Sequence, residues 1–98
     1  QYSIQQKETF QKAVQSELAE MQSKITELQK KTNAASAEAR SDLQKAIQEL
    51  EHKKEETRKQ LDQVNESTSS AWSKLKDNMN AAVEDLKKSY TETVSKLP

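Results

Sequence analysis

The chain has 98 residues, and its 16 Lys and Arg residues balance its 16 Asp and Glu residues, so its net charge is zero. Leu, Ile, Val and Phe together make up 16 of the 98 residues, fewer than a globular core of this length normally contains. With its charges balanced, the chain lacks the basic surface by which proteins bind nucleic acid. No apolar run in the sequence is long enough to form a transmembrane segment, and the absence of Cys excludes disulfides and thiolate chemistry.

One apolar stripe runs at helical spacing along nearly the whole chain. From Phe10 to Thr93 its positions recur about every 3.6 residues, which is the period of an α-helix. The chain contains no Gly, and its single Pro is the last residue, so almost nothing in it interrupts a helix. We therefore predict an all-α fold of long amphipathic helices. The residues predicted to pack between helices and to mediate self-association are Phe10, Val14, Leu18, Met21, Ile25, Leu28, Leu43, Ile47, Leu50, Leu61, Val64, Trp72, Leu75, Met79, Val83, Leu86 and Tyr90.

Charged side chains follow the same period. Seven Glu residues each precede a Lys by four positions, among them Glu20 before Lys24 and Glu49 before Lys53. On a helix these pairs lie one turn apart in the favourable orientation, and each contributes about 0.3–0.5 kcal/mol when exposed. Most of the helical stability must therefore come from burying the stripe against another helix.

Two stretches of the sequence are candidates for turns. Residues 65–70 are the poorest helix formers in the chain, and Asn65 could adopt the left-handed conformation that ends a helix. The stretch 33–36 is a weaker candidate, because its alanines are good helix formers. We expect an antiparallel helical hairpin, with a long first helix over residues 3–64, a turn at 65–70 and a second helix over residues 71–97. Two alternatives stay open, a three-helix bundle with a further turn near 33–36 and a single unbroken helix in an oligomer.

Four segments of the sequence form a pattern found in other proteins. They are Ser36-Ala37-Glu38-Ala39-Arg40, Ile47-Gln48-Glu49-Leu50, Ala71-Trp72-Ser73-Lys74-Leu75-Lys76 and Ala82-Val83-Glu84-Asp85-Leu86-Lys87. Through them the chain from Ser23 to Leu97 resembles a group of small, uncharacterised bacterial coiled-coil proteins, in which a Lys- and Glu-rich first helix leads into an Ala-Trp-x-x-Leu-Lys second helix. The resemblance implies a helical architecture and no catalytic residues.

The candidate site residues are few. His52 is the only histidine, and with Glu49 and Glu56 on the same helix it could supply half of a di-metal site. A closed site needs further ligands, so we expect His52 to be a solvated surface residue. We expect Trp72 to pack at the closed end of the hairpin rather than to anchor a partner. The sequence predicts no metal ligand, no cofactor and no catalytic residue, and we do not expect an enzyme.

The function expected first is that of a non-enzymatic structural or interaction protein. A two-helix hairpin covers an apolar stripe only partly, so a segment near residues 10–30 is expected to need a partner. The chain would then self-associate through the stripe as a coiled-coil homo-oligomer or filament. The alternative is an amphipathic protein that binds a lipid or membrane surface, which the narrow stripe disfavours. The start at Gln1 rather than Met favours a periplasmic or extracellular protein over a cytoplasmic one.

Overall fold

A computed structural model describes residues 4–98, in which the chain forms three helices and no strand. The helices are α1 (Ile4–Asn33), α2 (Ala37–Asp62) and α3 (Ser69–Val94). Each helix packs on the other two, and the bundle measures 53 × 18 × 17 Å. Because consecutive helices run in opposite directions, α1 and α3 are parallel. The predicted all-α fold is confirmed.

The division into helices differs from the favoured hairpin. The long helix expected over residues 3–64 is interrupted at 34–36, so that expectation is wrong, and the three-helix alternative with a turn near 33–36 is observed. Residue 3, where the long helix was expected to start, lies outside the described residues. The helix expected over residues 71–97 is α3, which begins two residues earlier and ends three residues earlier.

The first turn forms although its residues favour a helix. The Ala35 N–H donates a hydrogen bond to the Thr32 carbonyl at 3.0 Å. The Ser36 hydroxyl then caps α2 by accepting a hydrogen bond from the Ala39 N–H at 3.5 Å. The helix propensity of the alanines is worth only a few tenths of a kcal/mol per residue. Each large apolar side chain that the turn allows α1 to bury is worth roughly 1.5–3 kcal/mol, so packing decides the turn.

The second connection spans residues 63–68, close to the turn expected at 65–70. Asn65 does not adopt the left-handed conformation that its residue type allows, because no residue between 4 and 98 has a positive φ. The chain turns instead through short-range hydrogen bonds such as that from the Ser67 N–H to the Val64 carbonyl, at 3.2 Å. Thr68 then caps the first turn of α3 with its hydroxyl.

The predicted stripe forms the core of the bundle within a single chain. Every buried apolar residue of the described chain belongs to the predicted set: Val14, Leu18, Met21, Ile25, Leu28, Leu43, Ile47, Leu50, Leu61, Val64, Trp72, Met79 and Leu86. The remaining predicted residues, Phe10, Leu75, Val83 and Tyr90, are partly buried against this core. The expectation that a segment near residues 10–30 lacks a partner is wrong, because the other two helices of the same chain cover α1.

Candidate functional site

The single histidine lies on the surface of α2. His52 is exposed, and so are Glu49 and Glu56 on either side of it. Residues 4–98 contain no group of three or more His, Cys, Asp or Glu side chains that could hold a metal ion. Within the same residues, no helix has the length and apolar character that crossing a bilayer would require.

The stripe is the surface along which the three helices meet, and it contains buried threonines. Thr32, Thr57 and Thr93 have exposed fractions of 0, 2 and 4 %. Each threonine hydroxyl donates a hydrogen bond to the carbonyl four residues earlier in its own helix, at distances of 2.8 to 3.0 Å. The hydroxyls are therefore satisfied without a partner on another helix.

Aromatic side chains join α1 to α3 at the end of the bundle where both helices begin. The Phe10 ring meets the Trp72 ring edge to face, with 5.2 Å between the ring centroids. Trp72 is 5 % exposed, and the Lys76 ammonium lies 6.0 Å from the centroid of the indole. Trp72 is thus a packing residue next to the second connection, as the sequence indicated, and not an exposed anchor.

Charged side chains join the same two helices farther along. The Lys87 ammonium lies 3.0 Å from a Glu17 carboxylate oxygen. The hydrogen bond to Glu17 raises the pKa of Lys87 above its ordinary value of 10.5. Farther along the same two helices, the Lys24 ammonium lies 5.6 Å from the centroid of the Tyr90 ring, a cation–π contact. Long side chains therefore bridge α1 and α3 over much of their length.

Lys7 is a residue that sequence reasoning missed. It is only 8 % exposed, and its ammonium donates a hydrogen bond to the Ser67 carbonyl in the second connection, at 2.8 Å. Its aliphatic stem can be buried while the charged end reaches a polar partner. The helical period offers the signal, because Lys7 lies one turn before Phe10 and so falls on the stripe.

α2 is the central helix, with polar contacts to both neighbours. Lys53 lies 3.0 Å from an Asp85 carboxylate oxygen and donates a hydrogen bond to the Ser89 hydroxyl at 2.7 Å, both on α3. Lys54 donates a hydrogen bond to the Gln22 side chain on α1. The predicted pairing of Lys53 with Glu49 is thus replaced by contacts between helices.

An ion triplet lies on the exposed face of α2. The Arg58 guanidinium donates hydrogen bonds to Glu55 at 2.7 Å and to Asp62 at 3.1 Å. The hydrogen bond from Arg58 lowers the pKa of Glu55, while the hydrogen bond to Glu55 raises the pKa of Arg58. These are surface ion pairs between successive turns of one helix, and such pairs add little to stability.

Comparisons of the chain with protein-family models, with curated protein sequences and with solved structures found no match. The resemblance to bacterial coiled-coil proteins therefore stays a prediction. The structure brings the predicted packing residues of all three helices into one core, and their part in self-association stays a prediction as well.

Proposed function

We propose that the chain is a non-enzymatic structural or interaction protein that self-associates through its apolar stripe. The observation that supports this proposal most directly is the constant helical phase of the stripe. Thr32, Ala35 and Ala39, which are buried or half-buried, continue the phase across the first turn. The packing surface thus keeps one register from α1 into α2, so helices of another copy can complete it as well as helices of the same copy.

The outer surface of the bundle offers little else for association. Among the described residues, the large apolar side chains that are exposed are Ile4, at 76 %, and Val94, at 37 %. Both lie in the terminal turns of their helices, and apolar side chains exposed singly are ordinary on protein surfaces. We therefore propose that self-association uses the stripe itself.

The test is molar mass as a function of concentration, by light scattering and sedimentation equilibrium after long incubation. We expect the mass to rise from the 11.2 kDa of one chain to a discrete multiple. An Ile4→Ser, Val94→Ser double variant is the control, because it removes the exposed apolar side chains and leaves the stripe intact. Association that persists in the control supports the stripe. A mass of one chain at every concentration, or association lost in the control, contradicts the proposal.

A lipid surface is the second candidate partner, and the same constant phase favours it. An opened chain would present a long amphipathic face, which can lie in a membrane interface. The buried Thr32, Thr57 and Thr93 would contribute little there, whereas small side chains suit close helix packing. Co-sedimentation with anionic vesicles tests this candidate, and protein that stays in the supernatant would remove it.

A further inference from the structure

We infer that the first turn, residues 34–36, is a hinge that straightens into continuous helix and transfers α1 to a second copy of this chain. The inference rests on the proposed self-association and specifies its route. In the exchanged dimer, residues 4–62 of each copy form one long helix, and each α1 packs on α2 and α3 of the other copy. The core contacts of α1 are reproduced between chains, those between α2 and α3 stay within each chain, and only the contacts of the turn are lost.

The hinge residues present no barrier to helix formation. Ala34 and Ala35 are the best helix formers among the amino acids, and the turn contains neither Gly nor Pro. Along residues 4–98 no φ is positive, so straightening requires no residue to leave a left-handed conformation. The turn holds hydrogen bonds from the Ala34 and Ala35 N–H groups to carbonyls three residues earlier, which a helix replaces with bonds to carbonyls four residues earlier.

Straightening also leaves the stripe intact. The stripe positions on either side of the hinge are Leu28, Thr32, Ala35, Ala39 and Leu43, which follow one another at intervals of three or four residues. They would lie on one face of a continuous helix. In the closed bundle, α2 and α3 of the same copy cover this face of α1. In the dimer, α2 and α3 of the second copy can therefore cover it in the same way.

The second connection is held in place more firmly than the first. It spans six residues, 63–68, against the three of 34–36, and its Val64 is fully buried at 0 % exposure. The Ser67 carbonyl accepts a hydrogen bond from the Lys7 ammonium, and the Ser67 hydroxyl donates a hydrogen bond to the Val64 carbonyl at 2.6 Å. At the first turn, by contrast, Ser36 is exposed, and the Arg40 guanidinium donates one hydrogen bond to the Ala35 carbonyl at 3.3 Å. Opening at 63–68 would break core contacts that opening at 34–36 leaves untouched.

A proline at the start of α2 distinguishes the closed bundle, which can accommodate it, from the straightened hinge, which it disrupts. Ala37 is the first residue of α2, and Ser36 before it is extended, with φ −62° and ψ 160°. Proline is well accommodated at the first position of a helix, and the residue before a proline prefers an extended conformation. The Ala37→Pro variant should therefore keep the closed bundle, whereas in a continuous helix the same proline would be interior and disruptive.

The chain offers a matched control at the other connection. Ser69 is the first residue of α3, and Thr68 before it is extended, with φ −74° and ψ 174°. Ser69→Pro therefore makes the same kind of change without touching the proposed hinge. An interior proline disfavours a helix by about 100-fold, and the dimer contains two hinges. We expect Ala37→Pro to lower the dimerisation constant by about 10⁴-fold, and Ser69→Pro to leave it near that of the unmodified chain.

A distance measurement tests the hinge independently of any proline. Gln15 and Asp62 are exposed and line the same groove between α1 and α2, and the absence of native Cys allows spin labels at Gln15→Cys and Asp62→Cys. Labelled chains are diluted with an excess of unlabelled chains, so that only distances within one chain are recorded. We expect a short distance in the monomer and about 70 Å in the dimer, from the 1.5 Å rise per residue of a helix.

The outcomes separate the inference from the proposed function. Dimers that keep the short distance, or an Ala37→Pro variant that dimerises as strongly as the Ser69→Pro control, would overturn the hinge while leaving self-association standing. An unmodified chain that stays monomeric at every concentration would overturn both. Dimers with the long distance, lost in Ala37→Pro and kept in Ser69→Pro, would support the hinge.

Discussion

Shortening Leu50 tests whether the buried stripe holds the bundle together. Leu50 is 1 % exposed and lies in α2, which packs on both other helices. Leu50→Ala removes three carbon atoms from the side chain. At about 0.8 kcal/mol for each, the free energy of unfolding falls by about 2.4 kcal/mol. The cavity left behind raises the expected loss to about 3–4 kcal/mol. Domains of this size are stable by only about 5–15 kcal/mol, so the variant should lie close to unfolding.

Urea denaturation of the monomer measures this loss, with far-UV circular dichroism reporting the helices and Trp72 fluorescence reporting the core. Ile4→Ala is the control, because Ile4 is 76 % exposed, and it should change the free energy of unfolding by less than about 0.5 kcal/mol. A loss of under about 1 kcal/mol for Leu50→Ala, or equal losses in the two variants, would refute the assignment of Leu50 to the core.

Two further predictions concern the polar contacts of α1. Lys7→Met keeps an aliphatic stem but loses the hydrogen bond to the Ser67 carbonyl, so we expect the free energy of unfolding to fall by about 1–2 kcal/mol. Lys12→Met, at an exposed position, is the control and should leave the free energy of unfolding unchanged. Equal effects of the two variants would contradict the prediction. Glu17→Gln replaces the carboxylate that raises the pKa of Lys87 with a neutral amide, so that pKa should fall toward its ordinary 10.5. A raised pKa stabilises the folded chain below the unfolded-state pKa, and this stabilisation is lost as the pH rises through the folded-state pKa. The contribution of Lys87 to stability therefore disappears above about pH 10.5. An NMR titration that gives Lys87 the same pKa with and without Glu17 would refute the assignment.

Residues of the candidate site could be predicted where they recur at helical spacing in the sequence. Every residue from Val14 to Leu28 that the stripe predicted on α1 is buried, because the face of a helix on which a residue lies follows from spacing alone. Lys7 was missed, since its residue type suggests an exposed position and only its spacing indicates burial. Its partner, the Ser67 carbonyl, belongs to the second connection and could not be identified from spacing within α1.

By itself, the amino-acid sequence determined that this chain is helical and which face of each helix is apolar. A constant period of about 3.6 residues and the absence of helix-breaking residues are local properties of the chain. Only the tertiary structure decided that the chain turns at 34–36 and buries the stripe within one copy, because the phase of the stripe is the same whether Ala34 and Ala35 are helical or not. Within one copy, contacts between side chains distant in the sequence, such as Phe10 on Trp72, hold α1 against the other helices, and local propensities contain no information about those contacts.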